Sequence, residues 1–160
     1  MTTLAPGDVA PAFRLPSSAG TWAGLADYPG SRVIMYFYPA ALTPGCTTQA
    51  IDFTASLRQL ESAGLSVLGI SPDPVERLAT FQSSHQIGFP LLSDPSLETL
   101  RAYGAYGTKK LYGKEVQGVI RSTFVVSVDT EGQGTVSLAQ YQVRASGHVD
   151  RLKRQLGLTS

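Results

Sequence analysis

The chain has a single cysteine, Cys46, in the stretch YFYPAALTPGCTTQ at residues 36–49. By default a lone cysteine is a small buried hydrophobe, but the surroundings of this one point elsewhere. The apolar run at 33–38 reads as a buried strand, and a helical pattern follows from about Thr43. The thiol therefore falls where a strand ends and a helix begins. Thr43 suits the N-cap, where its hydroxyl can accept from a free N–H two or three residues on. Pro44 suits the first helical position, where its missing N–H costs nothing, and Gly45 lets the backbone approach closely. Cys46 then sits in the first turn, where free N–H groups and the positive end of the helix dipole favour negative charge. A thiol in such a place is disposed to ionise, and the thiolate is the nucleophilic form.

The elements that must position this group follow from the hydrophobic pattern. Ahead of it, Phe13, Arg14 and Leu15 alternate like a short strand, residues 17–20 signal a turn, and Thr21-Trp22 returns as the partner. Trp22 reads as a packing anchor at the core edge. Behind the cysteine, Ala50, Phe53, Leu57 and Leu60 recur at three- and four-residue steps as an inward stripe, and Gly64 is a natural helix stop. A second apolar strand covers 65–70. Pro74 opens a helix carrying Val75, Leu78 and Phe81, and Leu91-Leu92 is a short strand. A short helix with Leu97 and Leu100 ends before Gly104. Residues 103–118, with tyrosines and lysines among four glycines, read as a solvated loop. Strong strands at 122–128 and 135–141 are joined by a turn at 129–132 and pair antiparallel. A helix at 150–156 closes the chain, with Leu152 and Leu156 inward. Alternating strands and helices predict an α/β fold with a mixed central sheet covered on both faces, in one domain over 1–160.

Composition narrows the chemistry. Thirteen Lys and Arg against twelve Asp and Glu leave a net charge of +1, which gives no electrostatic reason to expect nucleic acid or an anionic membrane as partner. One cysteine excludes an internal disulfide and any Cys-x-x-Cys pair, and it fits a reducing compartment. At 160 residues, a single domain buries roughly 70% of its unfolded surface and needs no such staple. The N-terminus lacks a basic and apolar leader, and no apolar run approaches the roughly 20 residues of a membrane span, so the expectation is a soluble cytoplasmic protein. His85 and His148 lie on polar stretches and read as surface residues; no metal-ligand spacing, dinucleotide fingerprint or phosphate loop is present, so neither metal nor cofactor is expected.

The pattern Pro39-x-x-x-Thr43-x-x-Cys46 resembles the active-site signature of the peroxiredoxins. Its surroundings resemble the peroxiredoxin Q branch, also called bacterioferritin comigratory proteins. The carriers are FYP at 37–39, TPGCT at 43–47, GISPD at 69–73, PLLSD at 90–94, the lysine- and tyrosine-bearing segment 109–114, and RSTF at 121–124. They occur in the family's order along nearly the whole chain. The resemblance implies a thioredoxin fold with an N-terminal β-hairpin and a thiol-dependent peroxidase acting on hydrogen peroxide and organic hydroperoxides, with a role in antioxidant defence.

The resemblance assigns roles residue by residue. Cys46 is the peroxidatic cysteine, whose thiolate attacks a peroxide oxygen and becomes a sulfenic acid. Arg121 supplies permanent charge and a fork of donors. The Thr43 hydroxyl and the Cys46 N–H hold peroxide oxygens, and Pro39 shields the thiolate from water. Two departures stand out. Many members carry a resolving cysteine five residues on, where this chain has Ile51, and Gln49 replaces a common Glu that helps orient the arginine. The chain thus resembles a one-Cys member, with a monomer as the family's default, whose sulfenic acid must be reduced by an external thiol: thioredoxin, a glutaredoxin or a low-molecular-weight thiol. The alternative is a non-enzymatic peroxide sensor or partner-binding switch. A thioredoxin-fold disulfide reductase lacks its Cys-x-x-Cys.

Overall fold

The computed structural model describes residues 3–158. Its centre is a five-stranded sheet in the order β5-β4-β3-β8-β9. The middle strand, β3 (Arg32–Phe37), lies parallel to β4 (Leu65–Ser71), which is parallel to β5 (Leu91–Ser93). On its other side β3 runs antiparallel to β8 (Ser122–Val128), and β8 antiparallel to β9 (Gly134–Gln140), with a bulge at Val125/Val126. Residues 33–37 of β3 are all buried, as expected of a strand covered on both faces.

The alternation of side chains along β3 divides the interior in two. Ile34, Tyr36 and Tyr38 join Phe53 and Leu60 of α1 (Pro44–Ser62), Leu78 and Phe81 of α2 (Val75–His85), and Val149 and Leu152 of α4 (His148–Gln155). Val33, Met35 and Phe37 face the opposite layer. There Leu100 of α3 (Glu98–Ala102), Tyr103, Val119 and the N-terminal residues Ala10 and Leu25 close over the sheet. The inward stripe expected of α1 is present at Ala50, Phe53 and Leu60, with Leu57 partly buried.

The N-terminal hairpin pairs β1 (Leu15–Pro16) with β2 (Trp22–Ala23). Trp22 does not anchor it to the core: it is 56% exposed. A two-residue strand has too little width to cover an indole on its outer face. The expected loop at 103–118 is mostly a second hairpin, β6 (Tyr106–Leu111) paired antiparallel with β7 (Lys114–Val119). Glycine content and charge masked its alternation, and the turn is made by Tyr112 and Gly113, both at positive φ. Tyr103 belongs to the core, where its hydroxyl donates to the Pro11 carbonyl at 2.7 Å. Among the described residues no helix is long and apolar enough to cross a membrane.

Tyr36 shows how tightly the layer under α1 is filled. Its ring stacks on Phe53 at 4.7 Å and meets Phe89 edge-on at 5.9 Å. The neighbouring strand gives it room only because position 69 has no side chain. A Cβ there would lie 3.1 Å from Tyr36 Cζ and 3.0 Å from Leu91 Cδ2. Neither neighbour can yield, since both are fully buried. Gly69→Ala is expected to lower stability by about 1–3 kcal/mol through overpacking, read as the urea unfolding midpoint; an unchanged midpoint contradicts this packing.

Candidate active site

Cys46 stands in the first turn of α1, as the sequence predicts. The strand β3 delivers the chain to this end of the sheet, and a short loop at 39–43 turns it into the helix. That loop is fastened from the turn after β4 and the start of α2. The Asp73 carboxylate accepts from the Ala41 N–H at 2.7 Å and from the Ser71 hydroxyl at 2.8 Å, and it pairs with Arg77 at 3.3 Å. Arg77 in turn donates to the Ala41 carbonyl at 3.1 Å. This tether holds a strained turn, since Leu42 has φ 67°. In the sequence Asp73 stood in the GISPD segment that carries the resemblance, with no role attached to it.

Thr43 is the N-cap by position, but it makes no side-chain cap. Its hydroxyl donates to the Ala40 carbonyl at 2.7 Å. That bond commits its proton and leaves the oxygen's lone pairs for another donor. The ladder of α1 starts where the Thr47 N–H reaches the Thr43 carbonyl at 2.9 Å. The N–H groups of Gly45 and Cys46 therefore precede the helix's own bonding.

Arg121 immediately precedes β8. The pairing of Phe37 with Ser122 puts it beside the end of β3, next to the loop that leads to Cys46. Its Nη2 donates to Cys46 Sγ at 3.3 Å, and its Nη1 donates to Gln49 Oε1 at 2.6 Å. Cys46 is 1% exposed, so this charge acts on the sulfur with little water between them. Pro39 and Arg121 line an open cleft of about 680 Å³, walled by Lys109 and Lys110 of β6 and Val143. Of these lining residues, Arg121 is the one that reaches Cys46. The structure thus brings Cys46, Gln49 and Arg121 into bonding contact, places Pro39 at the mouth, and puts Thr43 one turn ahead of the sulfur.

His148 departs from the surface position expected of it. It is 2% exposed, with its ring edge-on to Phe53 at 5.9 Å and its Nδ1 3.2 Å from Gln49 Nε2. The periodicity of α4 held the signal, since His148 lies four residues before the inward Leu152. Its Nε2 lies 3.3 Å from Gln140 Oε1, and Gln140 Nε2 donates to Gln155 Oε1. Burial, then Arg151, then Arg121 push its pKa down to about 4. The imidazole is therefore neutral across the physiological range. His85, by contrast, is half-buried near the end of α2.

The sequence matches the AhpC/TSA family over residues 6–143. It is 59% identical over 157 residues to a putative peroxiredoxin of Mycobacterium tuberculosis, covering 98% of each chain. Peroxiredoxin Bcp of Escherichia coli is 41% identical over 129 residues, which is 81% of this chain and 83% of the relative. Peroxiredoxin Q of Xanthomonas campestris, solved as a cysteine-to-serine variant, superposes with a TM-score of 0.82 at 37% identity, covering 91% of this chain and 90% of the other. The mixed sheet flanked by helices is thus the thioredoxin-like fold of these proteins.

The buried histidine ties stability to pH. Unfolded, His148 takes up a proton near its ordinary 6.5; folded, it does so only near 4. The unfolded chain binds more protons between those values, so this contribution is complete above about pH 6.5 and is lost as pH falls toward 4. At its upper bound it amounts to roughly 3 kcal/mol. Urea unfolding at pH 7 and pH 4.5 is expected to show a larger loss for the wild type than for His148→Leu; equal losses contradict a neutral buried imidazole.

Proposed function

Because the chain belongs to the AhpC/TSA family of peroxiredoxins and is a thiol-dependent peroxidase, we propose that Cys46 is its peroxidatic nucleophile. The observation that carries this reading is the Arg121 guanidinium 3.3 Å from a buried sulfur at a helix N-terminus. Arg121 and the helix end both place positive potential at the reacting sulfur. The thiolate donates an electron pair to the terminal oxygen of the peroxide. The S–O bond forms as the O–O bond breaks, the transferred oxygen keeps its proton in the sulfenic acid, and the departing alkoxide or hydroxide takes a proton from solvent to leave as alcohol or water. Charge moves from sulfur toward the departing oxygen, and fixed donors stabilise it without reorganising.

Arg121 has a fork of donors for both charge positions. The Cys46 N–H, outside the helix ladder, is available to a peroxide oxygen. The Thr43 hydroxyl has already given its proton to Ala40 and offers lone pairs to a peroxide O–H. Pro39, with no N–H and a half-buried ring, keeps water from the sulfur.

The oxidised sulfur then needs a second thiol, and the sequence contains no other cysteine. Position 51 holds isoleucine, 44% exposed. An external thiol attacks the sulfenic acid, releases water and leaves a mixed disulfide, which a further thiol reduces. Thioredoxin, a glutaredoxin or a low-molecular-weight thiol supplies these equivalents, at a sulfur that local opening of the first turn of α1 must expose. The protein works as a single-domain monomer over residues 1–160, in the cytoplasm. The peroxiredoxin relatives favour this enzymatic reading over a peroxide sensor.

Peroxide consumption with a dithiol present is expected to fall to background in Cys46→Ser. One equivalent of peroxide should add one oxygen to the intact mass of the wild type and none to the variant. Equal consumption by the two proteins overturns the assignment.

A further inference from the structure

The contact that holds Arg121 over the sulfur depends on an amide with two unlike ends. Arginine can only donate, so the end of Gln49 facing it must be the carbonyl oxygen. The NH2 of Gln49 then faces Nδ1 of His148 at 3.2 Å and must donate to it. The neutral imidazole carries its proton on Nε2, which donates to Gln140 Oε1, and the Gln140 NH2 donates to Gln155. Every bond runs in one direction, from Arg121 through Gln49, His148 and Gln140 to Gln155. With a first member that can only donate, every bond in the series is satisfied when His148 is neutral with its proton on Nε2.

We propose that His148 is a positioning residue for the peroxide site: its Nδ1 lone pair holds Gln49 with the carbonyl oxygen toward Arg121, and so aims the guanidinium at Cys46. This rests on the roles just given to Cys46 and Arg121. A carboxylate at position 49 would offer an oxygen to the arginine in either orientation. An amide does not, because its flipped form sets NH2 against guanidinium N–H, donor against donor. The orientation that serves the arginine leaves the buried Gln49 NH2 in need of an acceptor, and among the described residues the one bonded to it is His148.

The fold holds the imidazole firmly for this task. Gly147, at φ 71°, turns the chain into α4 and puts His148 in its first helical position. Arg151 donates to the Ser146 and Arg144 carbonyls at 2.9 Å and pins the preceding loop. Phe53 covers the ring from α1. The charged groups acting on the imidazole, Arg151 on its own helix and Arg121 before β8, are both positive and oppose its protonation. An imidazolium would bring an N–H against the Gln49 NH2 and lose the one acceptor that orients it.

Rescue separates this role from simple packing. His148→Leu keeps apolar volume but removes the acceptor; the second-order rate of Cys46 oxidation by hydrogen peroxide is expected to fall about tenfold, the scale of one buried hydrogen bond. His148→Asn, whose side-chain oxygen can take the place of Nδ1, should recover most of the rate. Adding Gln49→Glu to His148→Leu should also recover it, because a carboxylate needs no orientation. A His148→Leu rate equal to wild type, or a double variant no faster than His148→Leu, overturns the proposal. Thermal unfolding of each variant shows that the rates come from folded protein. Wild type and Cys46→Ser run alongside: turnover by the first and none by the second leaves the peroxidase reading standing even if the His148 series fails.

Discussion

The site depends on the pairing register of β3 with β8. Cys46 and Arg121 are 75 residues apart in sequence, and no local feature brings them together. Phe37 pairs with Ser122, so the residue before β8 falls at the end of β3 where the chain turns toward the cysteine. A slip of one residue would send every side chain of β8 to the opposite face. The buried, fully alternating faces of β3 make such a slip costly. The two interior layers therefore serve the chemistry indirectly: they lock a register, and the register sets a 3.3 Å contact.

Around that contact the protein combines two kinds of constraint. The loop before Cys46 is held by charge and hydrogen bonds, with Asp73 and Arg77 gripping both polar groups of Ala41. The guanidinium behind it is held by a neutral relay through Gln49 and His148. A neutral relay has a physical consequence. With no ion pair to a carboxylate among the described residues, Arg121 keeps its full charge for the sulfur, whereas an ionic partner would share it. The cost is orientational, since an amide has a wrong way round and a carboxylate has none.

Much of this was legible in the sequence. The strand-to-helix placement of Cys46 follows from Thr43, Pro44 and the apolar run before them, and the RSTF segment marked Arg121 through resemblance. The mixed sheet followed from the order of patterned segments. The misses have particular causes. Thr43 is the N-cap by position, but its hydroxyl turns back to donate to the Ala40 carbonyl and makes no side-chain cap. His148 was judged by its polar neighbours in sequence, although its four-residue spacing from Leu152 put it on the inward face. The β6–β7 hairpin hid behind glycines and lysines because both its strands face solvent for much of their length, which weakens alternation. Trp22 has the composition of an anchor, but its two-residue strand leaves it outside.

The central claim is that a fixed guanidinium makes the buried sulfur reactive. The most direct measurement is the second-order rate of Cys46 oxidation by hydrogen peroxide in wild type and in Arg121→Lys, followed in single turnover. Lysine keeps the charge but cannot hold Gln49 and the sulfur at once through a planar fork. The account predicts a fall of about a hundredfold or more, the scale for losing one fixed donor in a charge-stabilising site. A lysine variant that reacts as fast as wild type would contradict it.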